Sequence, residues 1–408
     1  MKAAVLSLGC PRNTVDSEKY LRLLKKKGFD LVAPEKAEAL LINTCGFIEE
    51  AKKESIEVIR NALALKKEGA IAKVIVFGCL VKRYPEALRK HLKGVDAYLD
   101  VMNIEEPRRA QLEARHRAYL KIAEGCSNRC SYCAIPLIRG PLKSRSPKNI
   151  LSEVDCLQKE GVKELNLVAQ DITSWGADLG SGKDLVWLLK QIVKAAKEIP
   201  WIRLLYTHPR FVSQELIELM RKEKKICNYI DMPLQHVSPK ILKAMNRKTA
   251  LSRIETRLKL LKERIPDIAI RTTFLVGFPG ETDKDFAALL RFIKKYRFWH
   301  VGAFTYSKEE NTPAAGLPQV PEKVKKRRLD QLMKTQQAIS LERNKSLVGK
   351  RFDVIIDEAG KDHSLARAYF QAHEIDSGMI IPEKLQAGSF QRVKVTQAYE
   401  YDLVAEVI

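Results

Sequence analysis

Three cysteines lie within eight residues of the segment EGCSNRCSYCAIPLIRG. They are Cys126, Cys130 and Cys133, in the spacing C-x3-C-x2-C. A structural zinc site needs four ligands and a ferredoxin-type cluster four thiolates, so three cysteines leave one metal position open. An open iron can bind a substrate or cofactor directly. The spacing therefore favours a catalytic 4Fe–4S cluster, with a zinc site or a redox sensor as the alternatives.

Three further cysteines each end a short apolar run. Cys10 closes AAVLSLGC, Cys45 closes ALLINTC and Cys79 closes KVIVFGC, at intervals of 35 and 34 residues. A helical pattern follows each run, which predicts a parallel sheet covered on both faces. Because parallel strands end at one edge, we expect the three thiols to share one crevice. The alternative is three unrelated buried thiols.

The remaining two of the eight cysteines, Cys156 and Cys227, follow no pattern and are predicted to be small core residues. No signal-peptide pattern opens the chain, and no apolar run approaches the roughly 20 residues that span a bilayer. We therefore expect a cytoplasmic protein without membrane association, in which cysteines bind metal or react and do not form disulfides.

A second alternation of strands and helices begins at Ala118. Its six strand candidates are AYLKIAEG, KELNLVAQD, IRLLYTHP, NYIDMPLQH, IAIRTTFLVG and HVGAFTYS. Six units fall short of the eight of a closed TIM barrel, which predicts an incomplete (β/α) barrel. Polar and glycine residues just after these strands, among them Gln170, His208, Gly277 and Glu281, are candidates for cofactor binding.

The chain ends in a β-rich segment. A charged connector helix precedes about 65 residues of short alternating strands, which predict a small antiparallel barrel. The predicted class is α/β with three domains: a doubly wound parallel sheet over 1–110, an incomplete six-unit barrel with the connector helix over 111–342, and the β-barrel over 343–408.

The cysteine loop resembles the radical S-adenosylmethionine (SAM) signature, including an aromatic residue, Tyr132, before the third cysteine. The whole chain is similar to the methylthiotransferase family, as are GFPGET at 277–282 and IPLIRGPLKSR after the loop. The resemblance implies two 4Fe–4S clusters with one open iron each, the second on Cys10, Cys45 and Cys79. It also implies S-adenosyl-L-methionine as cofactor, Tyr132 near it, and a C-terminal TRAM domain.

In that family the first cluster cleaves SAM to a 5′-deoxyadenosyl radical, and the second holds a sulfur ligand for insertion. A second SAM donates the methyl group. The activity implied is a methylthiotransferase, a transferase that acts on an unactivated C–H bond. It requires an electron donor and a sulfur source, which the sequence does not identify.

Charge and motifs bear on the substrate. The chain carries a net charge of +22, which suggests an anionic partner such as RNA or a lysine-rich solvated surface. From Arg343 onward the net charge is −1, against +23 for residues 1–342. A near-neutral TRAM domain suits a basic protein better than tRNA phosphates. We expect exposed acids there: Asp357, Glu358, Asp362, Glu374 and Asp376, of which the first, second and third are predicted to dock the substrate.

The segments ARAYFQAHEID (366–376) and FGCLVKRYPEAL resemble the ribosomal-protein branch of the family. That branch modifies an aspartate of small-subunit ribosomal protein twelve (uS12), on its β carbon, so we expect uS12 as the partner, free or on the ribosome. Two rivals remain: a tRNA adenosine methylthiotransferase, and a non-enzymatic iron–sulfur or zinc module that binds RNA.

Overall fold

The computed structural model describes residues 1–100, 107–112 and 114–408. The first hundred form one parallel sheet and its helices. The strands are β1 (Lys2–Ser7), β2 (Asp30–Leu31), β3 (Ala39–Thr44), β4 (Lys73–Gly78) and β5 (Ala97–Leu99). The helices are α1 (Pro11–Lys26), α2 (Glu49–Lys67), α3 (Cys79–Arg83) and α4 (Pro85–His91). The strand order is β2-β1-β3-β4-β5, with every pair parallel.

Alternation along these strands explains why helices cover both faces. Val5, Leu41 and Phe77 pack against Tyr20 and Leu21 of α1. Their neighbours in the strands point the other way and pack with Ile59 of α2 and Leu88 of α4; these neighbours are Ala4, Leu40, Ile42, Val74 and Val76. The predicted doubly wound sheet is confirmed. Two short edge strands, β2 and β5, were absent from the sequence pattern.

All six predicted barrel strands are present. The middle part of the chain contains β6 (Arg117–Lys121), β7 (Ala123–Glu124), β8 (Lys143–Ser144), β9 (Glu164–Val168), β10 (Trp201–Leu204), β11 (Ile226–Asp231), β12 (Ala269–Val276) and β13 (His300–Thr305). Its helices are α5 (Ile135–Arg139), α6 (Pro147–Lys159), α7 (Leu185–Ala195), α8 (Gln214–Lys222), α9 (Pro239–Ala244), α10 (Leu251–Arg264) and α11 (Asp283–Tyr296). The six-stranded parallel sheet runs β6-β9-β10-β11-β12-β13, and β7 pairs with β8 separately. Strands β6 and β13 are its two edges, so the barrel is incomplete as predicted.

The connector helix α12 (Glu322–Lys345) packs on α11 and β13 and leads to the last domain. There β14 (Arg351–Ala359), β15 (Ser364–Ala368), β16 (Met379–Ile381), β17 (Phe390–Ala398) and β18 (Leu403–Val407) close into a barrel. The predicted small β-barrel is confirmed with one difference. Strands β16 and β18 pair in parallel, because the chain passes through β17 between them.

The C-terminal β-barrel packs against the inner face of the curved six-stranded sheet. One apolar core joins inward-facing side chains of the sheet to the β-barrel: Tyr119, Val168, Leu205, Tyr229, Val354, Ile356, Phe370 and Met379. Buried charges bridge the same junction, since Glu164 accepts hydrogen bonds from Arg203 (2.9 Å) and Arg367 (2.6 Å). Within the described residues, no helix has the length and apolar character needed to cross a membrane.

Candidate active site

Three cysteines, which we call the strand-end cysteines, lie at the carboxyl edge of the N-terminal sheet. Cys45 directly follows β3, Cys79 begins α3 directly after β4, and Cys10 precedes α1 after β1. Strands β1, β3 and β4 are neighbours, so the three thiols lie along one edge. All three are free of disulfides. The topology therefore brings the three thiols to one edge of the sheet, as predicted; that they share a crevice stays a prediction.

Glycine allows the strand ends to approach each other this closely. Gly78 has a φ of +104°, and a Cβ there would lie 2.3 Å from Asn43 Oδ1. Gly9 has a φ of +93°, and its Cβ would lie 2.9 Å from the Cβ of Cys45. A side chain at either position would push apart the backbone that presents the thiols.

Two arginines donate hydrogen bonds to the strand-end sulfurs. Arg12 Nε donates to Cys10 Sγ (3.2 Å). Arg139, from α5 of the barrel, donates to Cys79 Sγ through Nε (3.2 Å) and Nη2 (3.1 Å). The Cys45 sulfur receives the backbone N–H of Phe47. Two of the three sulfurs therefore have a cation as partner, and the third has an amide.

The pKa values of these thiols follow their partners. Burial raises the pKa of Cys10, but Arg12 and other donors outweigh it, so the net shift is downward. Burial raises the pKa of Cys45 to about 11. It also raises the pKa of Cys79, an effect that Arg139 reduces. Cys10 is thus the thiol most readily ionised for metal binding.

The other set, which we call the loop cysteines, comprises Cys126, Cys130 and Cys133 between β7 and α5. Each is half-buried. Gly125 begins the loop with a φ of +68°, and a Cβ there would lie 2.0 Å from the carbonyl oxygen of Pro141. The Cys126 N–H donates to Gly140 O (3.1 Å), which holds the two ends of the loop together.

The tip of this loop is held by the segment that follows α9. Ser131 N donates to Met245 O (3.0 Å), and Asn246 Nδ2 donates to Arg129 O (2.7 Å). Arg247 Nη1 lies 3.7 Å from Cys130 Sγ. Burial raises the pKa of Cys133 to about 12. The loop is therefore positioned mainly by backbone contacts, with one arginine near its middle sulfur.

Arg12 lies near members of both cysteine sets. Arg12 acts electrostatically on Cys133 as well as on Cys10. It also donates to Ala169 O (3.0 Å) and lies 4.6 Å from the ring centre of Tyr206. One side chain of the N-terminal domain thus reaches both sites.

Two groups of ion pairs fasten the N-terminal domain onto the barrel. In the first, Asp16 binds Arg139 (2.9 Å) and Lys121. In the second, Glu309 binds Arg83 (2.7 Å) and Lys52 (3.2 Å), with all three side chains largely buried. Breaking a buried pair leaves an uncompensated charge, so these contacts fix the orientation of the two cysteine sets.

The donor sets fit iron–sulfur clusters. In the described part of the chain, no three His, Cys, Asp or Glu side chains converge on a single ion. A four-iron cluster does not require convergence, because each thiolate binds a different iron. Three thiolates in each set, hydrogen-bonded at their sulfurs, match ligands that leave one iron open.

Tyr132 lies in the loop, while Gln170 and His208 follow the neighbouring strands β9 and β10. Tyr132 is half-buried among apolar residues of α9 and of the segments after β12 and β13. Gln170 Nε2 donates to Glu124 (3.2 Å), and its Oε1 is buried without a hydrogen-bond partner in the structure. His208 is buried, and burial lowers its pKa to about 2, so its ring is neutral near pH 7. Cofactor contact by these residues stays a prediction.

Gly277 and Glu281 have partners within the fold. The Glu281 carboxylate accepts from Arg328 of α12 (3.2 Å) and from the Gly277 N–H, and it lies 3.4 Å from His236 Nε2. A Cβ at Gly277 would lie 2.3 Å from Lys325 Cγ. These contacts explain the GFPGET segment as the joint between β12 and α12, and its contact with a cofactor stays a prediction.

The expectation that the acids of the last domain are exposed is wrong for two of them. Asp357 is buried, where it accepts from Arg367 (2.9 Å) and lies 3.2 Å from His116 Nε2. The Asp376 side chain is also inaccessible and accepts from Tyr229 (2.7 Å) and Arg271 (3.2 Å). Asp357 neutralises Arg367 and Asp376 neutralises Arg271 at the junction of the two barrels. Because Asp357 is buried there, it cannot dock a substrate.

The other three acids, Glu358, Asp362 and Glu374, are exposed. Glu374 nevertheless accepts a hydrogen bond from the hydroxyl of Tyr119 (3.3 Å). Residues of the ARAYFQAHEID segment therefore bond to side chains on the inner face of the six-stranded sheet.

Sequence reasoning missed the arginines at the sulfurs. Arg12 stands two residues after Cys10, and Arg139 lies in the IPLIRG motif six residues after Cys133. Both were visible beside cysteines, but nothing local indicates that each reaches into the other domain. Arg247 lies far from the loop cysteines in the sequence, and no sequence pattern predicted its position near Cys130.

Three family models match the chain. They are the uncharacterized protein family UPF0004 over residues 2–100, the Radical SAM superfamily over residues 120–293 and the TRAM domain over residues 348–408.

Proteins named ribosomal protein uS12 methylthiotransferase RimO are similar over the full length. The protein from Syntrophotalea carbinolica is 41% identical, with 100% of this chain and 97% of that protein covered. The protein from Thermoanaerobacter sp. is 44% identical, with 98% and 99% covered. The protein from Carboxydothermus hydrogenoformans is 43% identical, with 100% of both covered.

Solved structures share the fold at low identity. The radical SAM methyltransferase TsrM from Kitasatospora setae, with cobalamin and a 4Fe–4S cluster bound, has a TM-score of 0.56 and 16% identity, covering 77% of this chain and 76% of that one. The cobalamin-dependent radical enzyme OxsB has a TM-score of 0.52 and 11% identity, covering 83% and 56%. These similarities concern architecture alone.

Proposed function

This chain belongs to the RimO family of radical SAM methylthiotransferases, and we propose that it inserts sulfur and a methyl group at the β carbon of an aspartate in ribosomal protein uS12. The observation that carries the proposal is the pairing of two three-cysteine sets across one domain boundary, on a chain 41–44% identical to proteins of that name. A radical is needed because the C–H bond is unactivated.

The family uses an iron–sulfur cluster and SAM, and the proposal assigns two clusters. The loop cysteines hold the first, whose open iron binds SAM, and the strand-end cysteines hold the second. When bound, the first cluster and SAM supply the hydrogen-abstracting radical, while the second supplies the site for the sulfur to be inserted. The chain's own task is to orient both and to exclude water.

Five residues are proposed to form the SAM site: Tyr132, Gln170, His208, Gly277 and Glu281. The best supported is Gln170, whose buried Oε1 has no hydrogen-bond partner among the residues that the structure describes and suits a donor on the ligand. His208 is neutral at physiological pH, and since its Nδ1 accepts the Arg210 N–H (3.2 Å), its Nε2–H can donate to a ligand without adding charge. Glu281 contributes by holding its loop, since Arg328 and Gly277 occupy its carboxylate.

The proposed partners are uS12, an electron donor and a sulfur source. Glu358 and Asp362 remain the docking acids of the C-terminal domain, because both are exposed and the partner is a basic protein. A second SAM supplies the methyl group.

The test is mass spectrometry of uS12 and of tRNA from cells with and without this protein. A methylthio mass on uS12 that disappears with the gene is expected. A methylthio mass lost from tRNA adenosine would overturn the substrate assignment. Anaerobic reconstitution that yields zinc, or no 5′-deoxyadenosine on reduction, would overturn the enzymatic role.

Docking is tested by reversing both acids, Glu358→Lys with Asp362→Lys. Binding of uS12 should weaken, and the defect should shrink as salt rises, since exposed charges are screened. The matched control reverses two exposed acids elsewhere, Glu86 and Glu263. Equal uS12 binding by the two double variants would refute the docking role, as would tighter binding of uS12 to the first.

A further inference from the structure

Two arginines cross the boundary between the N-terminal domain and the barrel in opposite directions. Arg139 begins in the barrel and ends at Cys79, while Arg12 begins beside Cys10 and ends at the barrel carbonyl of Ala169. Each therefore connects one strand-end sulfur to the other domain.

Arg139 uses every donor of its guanidinium. Nε and Nη2 reach Cys79 Sγ, Nη2 also reaches Asn13 Oδ1 (2.7 Å), and Nη1 reaches Asp16 (2.9 Å) and Glu124 (3.3 Å). Its side chain is 4% exposed. A planar fork satisfied on all sides has one orientation, which fixes Cys79 relative to α5 and hence to the loop cysteines.

Arg12 is also held by several partners, which belong to both domains. Nε reaches Cys10 Sγ, Nη1 reaches Ala169 O, and the guanidinium lies 4.6 Å from the ring centre of Tyr206. Tyr206 itself has a φ of +61°, uncommon for an aromatic residue, and its N–H donates to Asp231 (3.0 Å). The backbone of Tyr206 is thus held in an uncommon conformation that places its ring against the Arg12 guanidinium.

Hydrogen bonds to ligand sulfurs, and nearby charge, set the reduction potential of an iron–sulfur cluster. A donated N–H and a positive charge both stabilise the added electron. Cys10 and Cys79 receive both from a guanidinium bonded to the sulfur, whereas the Cys45 sulfur receives the amide of Phe47 and only the more distant charge of Arg12. The geometry points to Arg12 and Arg139 as positioning residues that tie the strand-end cluster to the barrel and raise its reduction potential. This inference rests on the proposed second cluster.

The experiment uses the full chain with Cys126, Cys130 and Cys133 replaced by alanine, so that only the strand-end cluster is loaded. Its reduction potential is measured by a redox titration followed by electron paramagnetic resonance. Arg139→Gln and Arg12→Gln should each make reduction about tenfold less favourable, which for a one-electron couple is about 59 mV lower. Arg139→Lys and Arg12→Lys, which keep the charge but lose the fork, should shift it less.

Arg83→Gln is the matched control. Arg83 is buried at the same boundary, binds Glu309 (2.7 Å) and Gly46 O (2.9 Å), and contacts no cysteine sulfur among the described hydrogen bonds. Its potential should shift less than that of Arg139→Gln or Arg12→Gln, because Arg83 is neutralised by Glu309 and donates to no ligand sulfur among the described hydrogen bonds. An equal shift in Arg83→Gln, or none in the two glutamine variants, would overturn the inference.

If a glutamine variant binds no iron, its potential cannot be measured, and the corresponding lysine variant tests the inference instead. A lower potential in them supports the inference, and a parental potential refutes it. A parent protein without iron would instead overturn the strand-end cluster itself, and this inference with it. No substrate enters the measurement, so a wrong substrate leaves the result intact.

Discussion

The loop cysteines and the strand-end cysteines each provide three thiols, but the chain assembles them differently. The loop set lies within eight residues, and its geometry depends on Gly125 and on backbone contacts to the segment after α9. The strand-end set draws on three strands, and arginines serve two of its sulfurs. The loop set is formed by one short segment, whereas the strand-end set depends on three strands and, at Cys79, on an arginine of the barrel.

This difference predicts how each site fails. A change near the loop should act on that site alone. A change at the domain boundary should act on the strand-end site without unfolding the loop.

Replacing a loop cysteine should have the largest effect. Cys130→Ala removes one of three ligands, so 5′-deoxyadenosine formation from SAM should fall to background. The measurement is chromatography after anaerobic reduction. Cys156→Ala, in a half-buried cysteine of neither set, should retain formation. Reductive cleavage of SAM by Cys130→Ala would refute the assignment.

Removing the strand-end set should leave that chemistry intact. The triple variant Cys10→Ala, Cys45→Ala, Cys79→Ala should lose about half its iron, keep SAM cleavage and lose methylthio transfer, since the sites use separate ligands. Iron analysis and chromatography check this. Loss of all iron with the barrel still folded would indicate one shared cluster.

Glycines that precede the cysteines test the backbone of both sites. In Gly125→Ala and Gly78→Ala the new Cβ meets backbone or side-chain atoms within 2.0 Å and 2.3 Å. Each should lower the free energy of unfolding by more than about 2 kcal/mol, because steric overlap adds to the strain of positive φ. Gly161→Ala, with a φ of +91° and open space, isolates the strain and should lose about 1 kcal/mol. Equal losses in urea unfolding would show that crowding at the cysteines is unimportant.

Acid should affect a third region, the junction with the last domain. Arg367 and Arg203 outweigh the effect of burial and lower the pKa of Glu164 from 4.5 to about 2. A carboxylate with a lowered pKa stabilises the fold above its unfolded pKa, and the contribution disappears as pH falls from about 4.5 to about 2.

Glu164→Gln should therefore be less stable near pH 6 and should lose less stability on acidification. The measurement is the urea midpoint of the iron-free chain, wild type and variant, as the pH is lowered from about 6 to about 2. An unchanged slope would assign the acid sensitivity to other groups.

The sequence indicated the strands, the incomplete barrel and the position of all six cysteines, because each depends on periodicity and on local spacing. It did not indicate Arg139 as a partner of Cys79, since that contact crosses between domains, nor that Arg12, two residues after Cys10, donates to its sulfur and also to Ala169 O of the barrel. Asp357 and Asp376 were placed on the surface because composition records charge and not burial. The cations that bury them, Arg367 and Arg271, could be matched to them only after folding.

The closure of the barrel by the last domain bears on how the protein is made. Arg203, Arg271 and Glu164 lie on central strands, yet their partners Tyr369, Asp376 and Arg367 belong to the end of the chain. During synthesis from the N-terminus, those inner charges are translated long before their partners leave the ribosomal exit tunnel. The nascent barrel is therefore unfinished until residues 367–376 have left the tunnel, and a chain stalled before residue 366 would present unpaired charge to chaperones and proteases.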